Sequence, residues 1–183
     1  MPMPLGHTAI GLVAYETAQT TQRPGNRLAL FAYITILANL PDLDILFGLL
    51  FTGNGAAFHR GPTHSLLFVL GAGYLAAWLM RRWSRGPQLG FALCGLLVFS
   101  HVVADLLLTR APVSLFWPLE LNFSLGYSDW GNVIQLAVFQ SVQDFVIAVL
   151  AGIYLLILRK IRGTGVVHDL LMALVRRGAR SMR

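Results

Sequence analysis

Charge is scarce in this chain of 183 residues: Asp, Glu, Lys and Arg together make up 12% of it, against 56% hydrophobic residues. An ordinary soluble domain carries roughly a quarter charged residues. With a mean hydropathy of +0.64, too few polar side chains remain to cover a water-exposed surface, which leaves the bilayer as solvent. Cysteine is nearly absent. The single Cys94 lies inside an apolar run, so a disulfide framework and a thiolate metal cluster are both excluded, and any bound metal must use nitrogen and oxygen. The N-terminal stretch MPMPLGHTAIGLV lacks the basic segment and small-residue cleavage site of a secretory signal; the expectation is that the first helix is retained, and His7 with it. There is no internal repeat and no low-complexity segment. Acidic residues are outnumbered, 8 against 14 basic ones, for a formal charge of +6. The basic residues come in short clusters flanking apolar runs, the pattern of cytoplasmic membrane loops. Membrane lipid is therefore the expected partner, and no nucleic acid is expected.

The apolar runs predict an all-α integral membrane helical bundle of about four to five helices with a C-terminal interfacial amphipathic helix. Leu5 to Thr20 reads as a short helix closed by the turn from Gln22 to Arg27, and Leu28 to Leu40 runs back beside it. Leu43 to Phe51 is a further apolar segment, followed by a Gly-rich loop from Thr52 to Pro62. Thr63 is the expected N-cap of a helix from His64 to Met80, and another helix covers Gln88 to Thr109. The stretch from Arg110 to Asn132, with Trp117 and Trp130, suits an interfacial loop. A last span covers Val133 to Leu158. Residues 1–163 thus read as a membrane-embedded domain and 164–183 as a basic amphipathic cytoplasmic tail.

The clusters Arg23/Arg27, Arg81/Arg82/Arg85 and Arg159/Lys160/Arg162 fall at one set of helix ends, and the positive-inside rule places those ends in the cytoplasm of a multi-pass bacterial inner-membrane protein. At 1.5 Å per residue, His7, Asp42, His64 and His101 then come out about 20 to 25 Å above them, at a single level toward the periplasmic side. Asp144 reaches the same level.

Three segments carry the chemistry. In SHVVAD, His101 and Asp105 are four apart on a helix and share a face, a spacing that lets an imidazole and a carboxylate bind one cation. In a soluble helix such a pair more often makes a surface hydrogen bond; inside an apolar helix an ionisable group calls for a functional partner. In ANLPDLD, Pro41 breaks the helix and Asp42 and Asp44 follow it; one of them could serve as an N-cap, but two acids flanked by apolar residues suit a hard or borderline cation. In FHRGPTHSLL, His59 and Arg60 sit in a loop and His64 opens the next helix. Here the plain alternative is hydrogen-bonded interfacial histidines. Arg60 and Arg110 are the basic residues expected on the outer side, and a guanidinium beside a His/Asp cluster suits a phosphate.

From His7 through LPDLD and HRGPTHSL to HVVAD, over about the first 120 residues in order, the chain resembles the YdjM-like family of inner-membrane-associated metal-dependent hydrolases. More distantly, the order His, Asp, His, His-x-x-x-Asp resembles the zinc-dependent phospholipase C and P1-type nuclease superfamily. That resemblance implies that Asp42, His59, His101 and Asp105 bind one metal, with Asp105 bridging to a second ion held partly by His7. The chain also departs from the pattern. No histidine follows His101 except His168 in the tail, against a full three-metal site, and Arg110, Ala111 and Pro112 stand where the YdjM-like pattern continues to a Gly.

The expected function is that of a membrane-bound metal-dependent hydrolase acting on a phosphoester, with a lipid as one candidate substrate, through metal-activated water. The expected ligands of one or two divalent ions are His7, Asp42, His59, His64, His101 and Asp105. Zinc is the first candidate, with manganese and iron compatible. Asp42 or Asp44 would accept the water proton and Arg60 would stabilise phosphoryl charge. Asp144 and Arg110 would support the site or contact substrate. The rival readings are an intramembrane metal or ion transporter and a non-catalytic membrane scaffold with a structural metal.

Overall fold

The computed structural model describes residues 4–19, 26–83, 86–109, 111–119, 121–124 and 140–162. Arg23, Arg85, Arg110, Trp130, residues 133–139 and the expected tail helix lie outside the described residues. Within them the chain is all helical: α1 (Pro4–Ala18), α2 (Arg27–Asn39), α3 (Leu43–Thr52), a 3₁₀ turn (Pro62–His64), α4 (Leu66–Arg82), α5 (Phe91–Leu108) and α6 (Gln140–Arg162). The extended elements are confined to one isolated bridge between Val113 and Phe123.

Two helices are long and apolar enough to cross a bilayer, Phe91–Leu108 and Val142–Arg162, while α2 and α3 form a pair bent by 55° that passes the same test together. Counting that pair as one broken span gives five helical units, as the apolar runs predict. The bend falls at Pro41, which has no N–H to continue the α2 ladder. Short-range bonds take over the backbone there: Leu43 N to Leu40 O at 3.2 Å, Asp44 N to Pro41 O at 3.3 Å and Ile45 N to Asp42 O at 3.1 Å. They satisfy groups that would be costly to leave open in an apolar medium.

The helices stack alternately up and down. Gly11 of α1 packs on α2, where an added Cβ would lie 2.7 Å from Ala38 Cβ, and Gly73 of α4 packs on α5, where one would lie 2.8 Å from Gly95 Cα. Such close approach supplies the dispersion contact that holds apolar helices together when lipid is as greasy as the core. Between them lie Ile34, Cys94, Leu97, Val98 and Val102, all buried. Helix α6 runs parallel to α1: Asp144 accepts from Gly6 N at one end (3.1 Å), and Arg162 donates to the carbonyls of Glu16 (2.7 Å) and Gln19 (3.3 Å) at the other. That guanidinium occupies acceptors which the end of α1 leaves without a helical donor.

Two boundaries differ from expectation for a physical reason. Helix α4 is capped by Ser65, whose hydroxyl accepts from Phe68 N at 3.1 Å, and not by Thr63, whose hydroxyl is drawn to Asp44. Helix α5 starts at Phe91 rather than Gln88, because the Gln88 amide is turned back onto the carbonyls of Met80 and Trp83 at the end of α4, each at 3.1 Å.

Candidate metal centre

The alternation of helix directions brings the start of α1, the end of α2, the 3₁₀ turn before α4 and the second half of α5 to one end of the bundle. His7, Asp42, Asp44, His59, Arg60, His64, His101 and Asp105 all meet there. His7, His64, His101 and Asp105 are 0% exposed, whereas the side chains of Asp42 and His59 retain 13%, so the cluster is approached from their side. The His7 ring stacks on His101, centroids 3.7 Å apart. Asp144 sits beside His7 through Gly6 N. Arg110 lies outside the described residues.

Helix geometry sets some contacts and loop chemistry the others. His101 and Asp105, one turn apart on α5, face His7, His64 and Asp42. His101 Nε2 lies 3.3 Å from Asp42 Oδ1; His64 Nε2 lies 3.6 Å from Asp105 Oδ2; His7 Nε2 lies 3.6 Å from Asp105 Oδ1. Asp42 heads α3 but makes no side-chain cap bond, so the capping alternative for it is not realised. Three groups have the spacing to hold an ion: His7, His101 and Asp105; Asp42, His64 and His101; Asp44, His59 and His64. The two sharing His101 merge into one five-donor set. His59, grouped by resemblance with Asp42, His101 and Asp105, has the spacing to share an ion with Asp44 and His64, and its Nδ1 lies 3.9 Å from Asp42 Oδ1.

Hydrogen-bond polarity fixes what these donors are. His101 Nδ1 faces the carbonyl of Ala38 at 2.8 Å. A carbonyl only accepts, so Nδ1 carries the proton, and the tautomer that this contact selects presents its lone pair on Nε2. That carbonyl is free because Pro41 ends α2 and Asp42 N does not return to it. Burial lowers the pKa of His64, against the opposing pull of the hydrogen bond to Asp44. The two Nε2 atoms are 3.3 Å apart. A cation between them would stabilise two lone pairs placed so close to each other and to carboxylate oxygens. Among the described residues, both nitrogens of His7, Asp42 Oδ1, Asp105 Oδ1 and His59 Nε2 are buried without a hydrogen-bond partner. Five orphaned atoms of metal-ligand type in one cluster fit a divalent cation of N/O preference.

Arg60 closes the arrangement. Its Nε donates to Asp105 Oδ2 at 3.0 Å, and the guanidinium makes no further hydrogen bond among the described residues. Its backbone is left-handed, φ 66°, a conformation that costs a non-glycine residue about 1–3 kcal/mol. The surroundings impose it, through Arg60 N to Asp44 Oδ2 at 3.2 Å and Ser114 N to Arg60 O at 3.0 Å. Sequence reasoning does not find Thr63 or the Ala38 carbonyl as parts of the site. A carbonyl leaves no sequence signal, and a Thr before a His reads as a cap.

The fold and cluster define an all-α membrane protein with a buried His/Asp centre at one end of its bundle. The sequence profile of the YdjM inner membrane protein family matches residues 1–174, and the chain belongs to that family. It is also 39% identical over 95 residues to the Inner membrane protein YbcI of Escherichia coli (strain K12), a match covering 49% of this chain and 53% of that protein. The matched region therefore spans about half the length of that curated relative. No solved structure matches the chain. The inner membrane is the setting that these matches and the apolar helices support together.

Proposed function

We propose that this protein is a membrane-bound metal-dependent hydrolase acting on a phosphoester, with a membrane lipid as the substrate class suited to its surroundings. One observation carries the reading: three carboxylates, Asp42, Asp44 and Asp105, gather around four imidazoles with a single guanidinium, Arg60, beside them, a surplus of acidic groups that a divalent ion would complement. His7, Asp42, His64, His101 and Asp105 would hold it, zinc being first among the N/O-liganded candidates. A bound ion would supply a Lewis acid and a water of lowered pKa.

The chain's own groups would do the rest. Asp42, partly exposed, would hold the ion through Oδ1 and accept a proton on its other carboxylate oxygen. Arg60, anchored to Asp105 through Nε alone, has guanidinium nitrogens left for two phosphoryl oxygens. Exposed Phe58, Phe116 and Trp117 flank His59 and the Ser114 strap and would shelter an acyl chain. The site would face the periplasm, because Arg81, Arg82, Arg159, Lys160 and Arg162 end α4 and α6 at the opposite end. Residues 164–183 would form the basic cytoplasmic tail.

The structural-metal scaffold is favoured by the complete burial of four cluster members. The transporter reading has less support, since among the described residues the level below the cluster is filled by the apolar, buried Cys94, Leu97 and Val98. Metal analysis of detergent-solubilised protein, with turnover of bis(p-nitrophenyl) phosphate and of phospholipid vesicles before and after chelation, decides the matter. Bound ion with chelator-sensitive turnover is expected. Ion without turnover favours the scaffold, and absence of ion means that protons on the imidazoles balance the charge and the proposal fails.

A further inference from the structure

We propose that Asp44 is not a ligand of this centre but, together with Thr63, the positioning residue that holds His59 and His64 in the tautomer able to bind a cation. The inference rests on the metal-centre reading above and deepens it by dividing the two acids of LPDLD between different tasks.

The division follows from which oxygens are already taken. Asp44 is 2% exposed and has neither oxygen spare. Its Oδ1 accepts from His59 Nδ1 at 3.0 Å. Its Oδ2 accepts from Arg60 N at 3.2 Å and from Thr63 Oγ1 at 2.6 Å. Asp42 and Asp105 each keep one buried oxygen without a hydrogen-bond partner. A cation would take the unpartnered oxygens and leave the saturated carboxylate in place, because recruiting Asp44 means breaking bonds that nothing else replaces.

The proton count settles the orientation of His64. The hydroxyl of Thr63 has one proton, and the 2.6 Å contact commits it to Asp44. Thr63 Oγ1 can then only accept from His64 Nδ1, 3.1 Å away, and Asp44 Oδ2 lies 3.3 Å from the same nitrogen. Both neighbours of Nδ1 are acceptors, so Nδ1 carries the proton and Nε2 offers its lone pair toward His101, Asp42 and Asp105. The same holds for His59, whose Nδ1 proton points at Asp44 and whose Nε2 is buried and unpartnered. Asp44 therefore sets two imidazoles at once, and Thr63 passes its influence to one of them.

Two measurements test this. In metal-free protein in detergent, ¹⁵N-histidine NMR reads the tautomers directly. The wild type should show Nδ1–H for His59 and His64; Thr63→Val should shift His64 alone, and Thr63→Ser should restore it. Cobalt(II) titration, followed by its d–d absorption, reads the ligands. Asp44→Asn should still bind the ion with an unchanged band pattern but with affinity about 10–100-fold weaker, while Asp42→Asn should change the band pattern. The proposal is overturned if either ring is found as Nε2–H in the wild type, or if Asp44→Asn changes the cobalt spectrum as Asp42→Asn does. Should the wild type show the Nδ1–H tautomers but bind no cobalt, the orienting role of Asp44 stands and the metal-centre reading falls.

Discussion

Asp105→Asn preserves the shape of the α5 side chain while removing one negative charge from the centre of the cluster, and it separates charge balance from packing. Two consequences compete. Arg60 loses its charged partner, and a buried pair of 9% and 0% exposure broken on one side costs about 3–5 kcal/mol of stability. The cluster's surplus of acidic groups also falls by one. A unit charge about 4 Å from another contributes about 4 kcal/mol at an effective dielectric near 20, which is about three powers of ten in Kd. In the wild type, an ion held at a thousand times its Kd adds about 4 kcal/mol to stability, or about 8–16 °C in Tm at 2–4 °C per kcal/mol. Thermal unfolding in detergent, with and without chelator, should therefore show a large chelator-dependent drop for the wild type and almost none for Asp105→Asn. Full chelator sensitivity in the variant would refute the assignment of Asp105 to the centre and the charge balance with it.

Other substitutions probe separate links. Gly73→Ala would press a methyl against the Gly95 backbone, 2.8 Å from Cα and 2.9 Å from N, and should cost about 1–3 kcal/mol, read as a lowered Tm. Gly71→Ala, with nothing within 4 Å, should leave the Tm unchanged. Arg60→Lys cannot hold Asp105 and a phosphoryl group at once; it should lower kcat by about 100-fold or more while cation content is retained. Pro41→Ala allows Asp42 N to return to the Ala38 carbonyl, and ¹⁵N NMR should show His101 losing its Nδ1–H tautomer as cation affinity falls.

Much of this arrangement is legible in the amino-acid sequence. Runs such as Leu66 to Met80 read as apolar helices, and the positions of the Arg clusters suggest which ends align. From those two facts His7, Asp42, His64 and His101 come out level, and α1, α2, α4 and α5 do bring them together. Finer assignments depend on information that spacing does not contain. Whether Thr63 caps a helix or binds an acid depends on Asp44, nineteen residues earlier, a choice made by tertiary contact over local propensity. The grouping of His59 with Asp44 is hidden for the same reason: a loop's path is set by where its backbone finds partners, here Asp44 Oδ2 for Arg60 N and Arg60 O for Ser114 N.

The break at Pro41 links the fold to the chemistry most directly. An unbroken helix would bury Ala38 O in its own ladder and carry Asp42 round the turn as a side chain on a lipid-facing or core-facing stripe. Proline removes the donor that would reach Leu37 O and the span bends by 55°, so that Asp42 N does not return to Ala38 O. That carbonyl faces His101 Nδ1 at 2.8 Å, while short-range bonds absorb the rest of the interruption. The lone pair left on His101 Nε2 then faces Asp42 Oδ1 at 3.3 Å, on the residue immediately after the proline. One backbone defect thus delivers an acid to the centre and sets the tautomer of the imidazole opposite it. Irregular backbone within a membrane span is tolerated where it serves a polar interior, and here the groups it serves belong to the candidate His/Asp cluster.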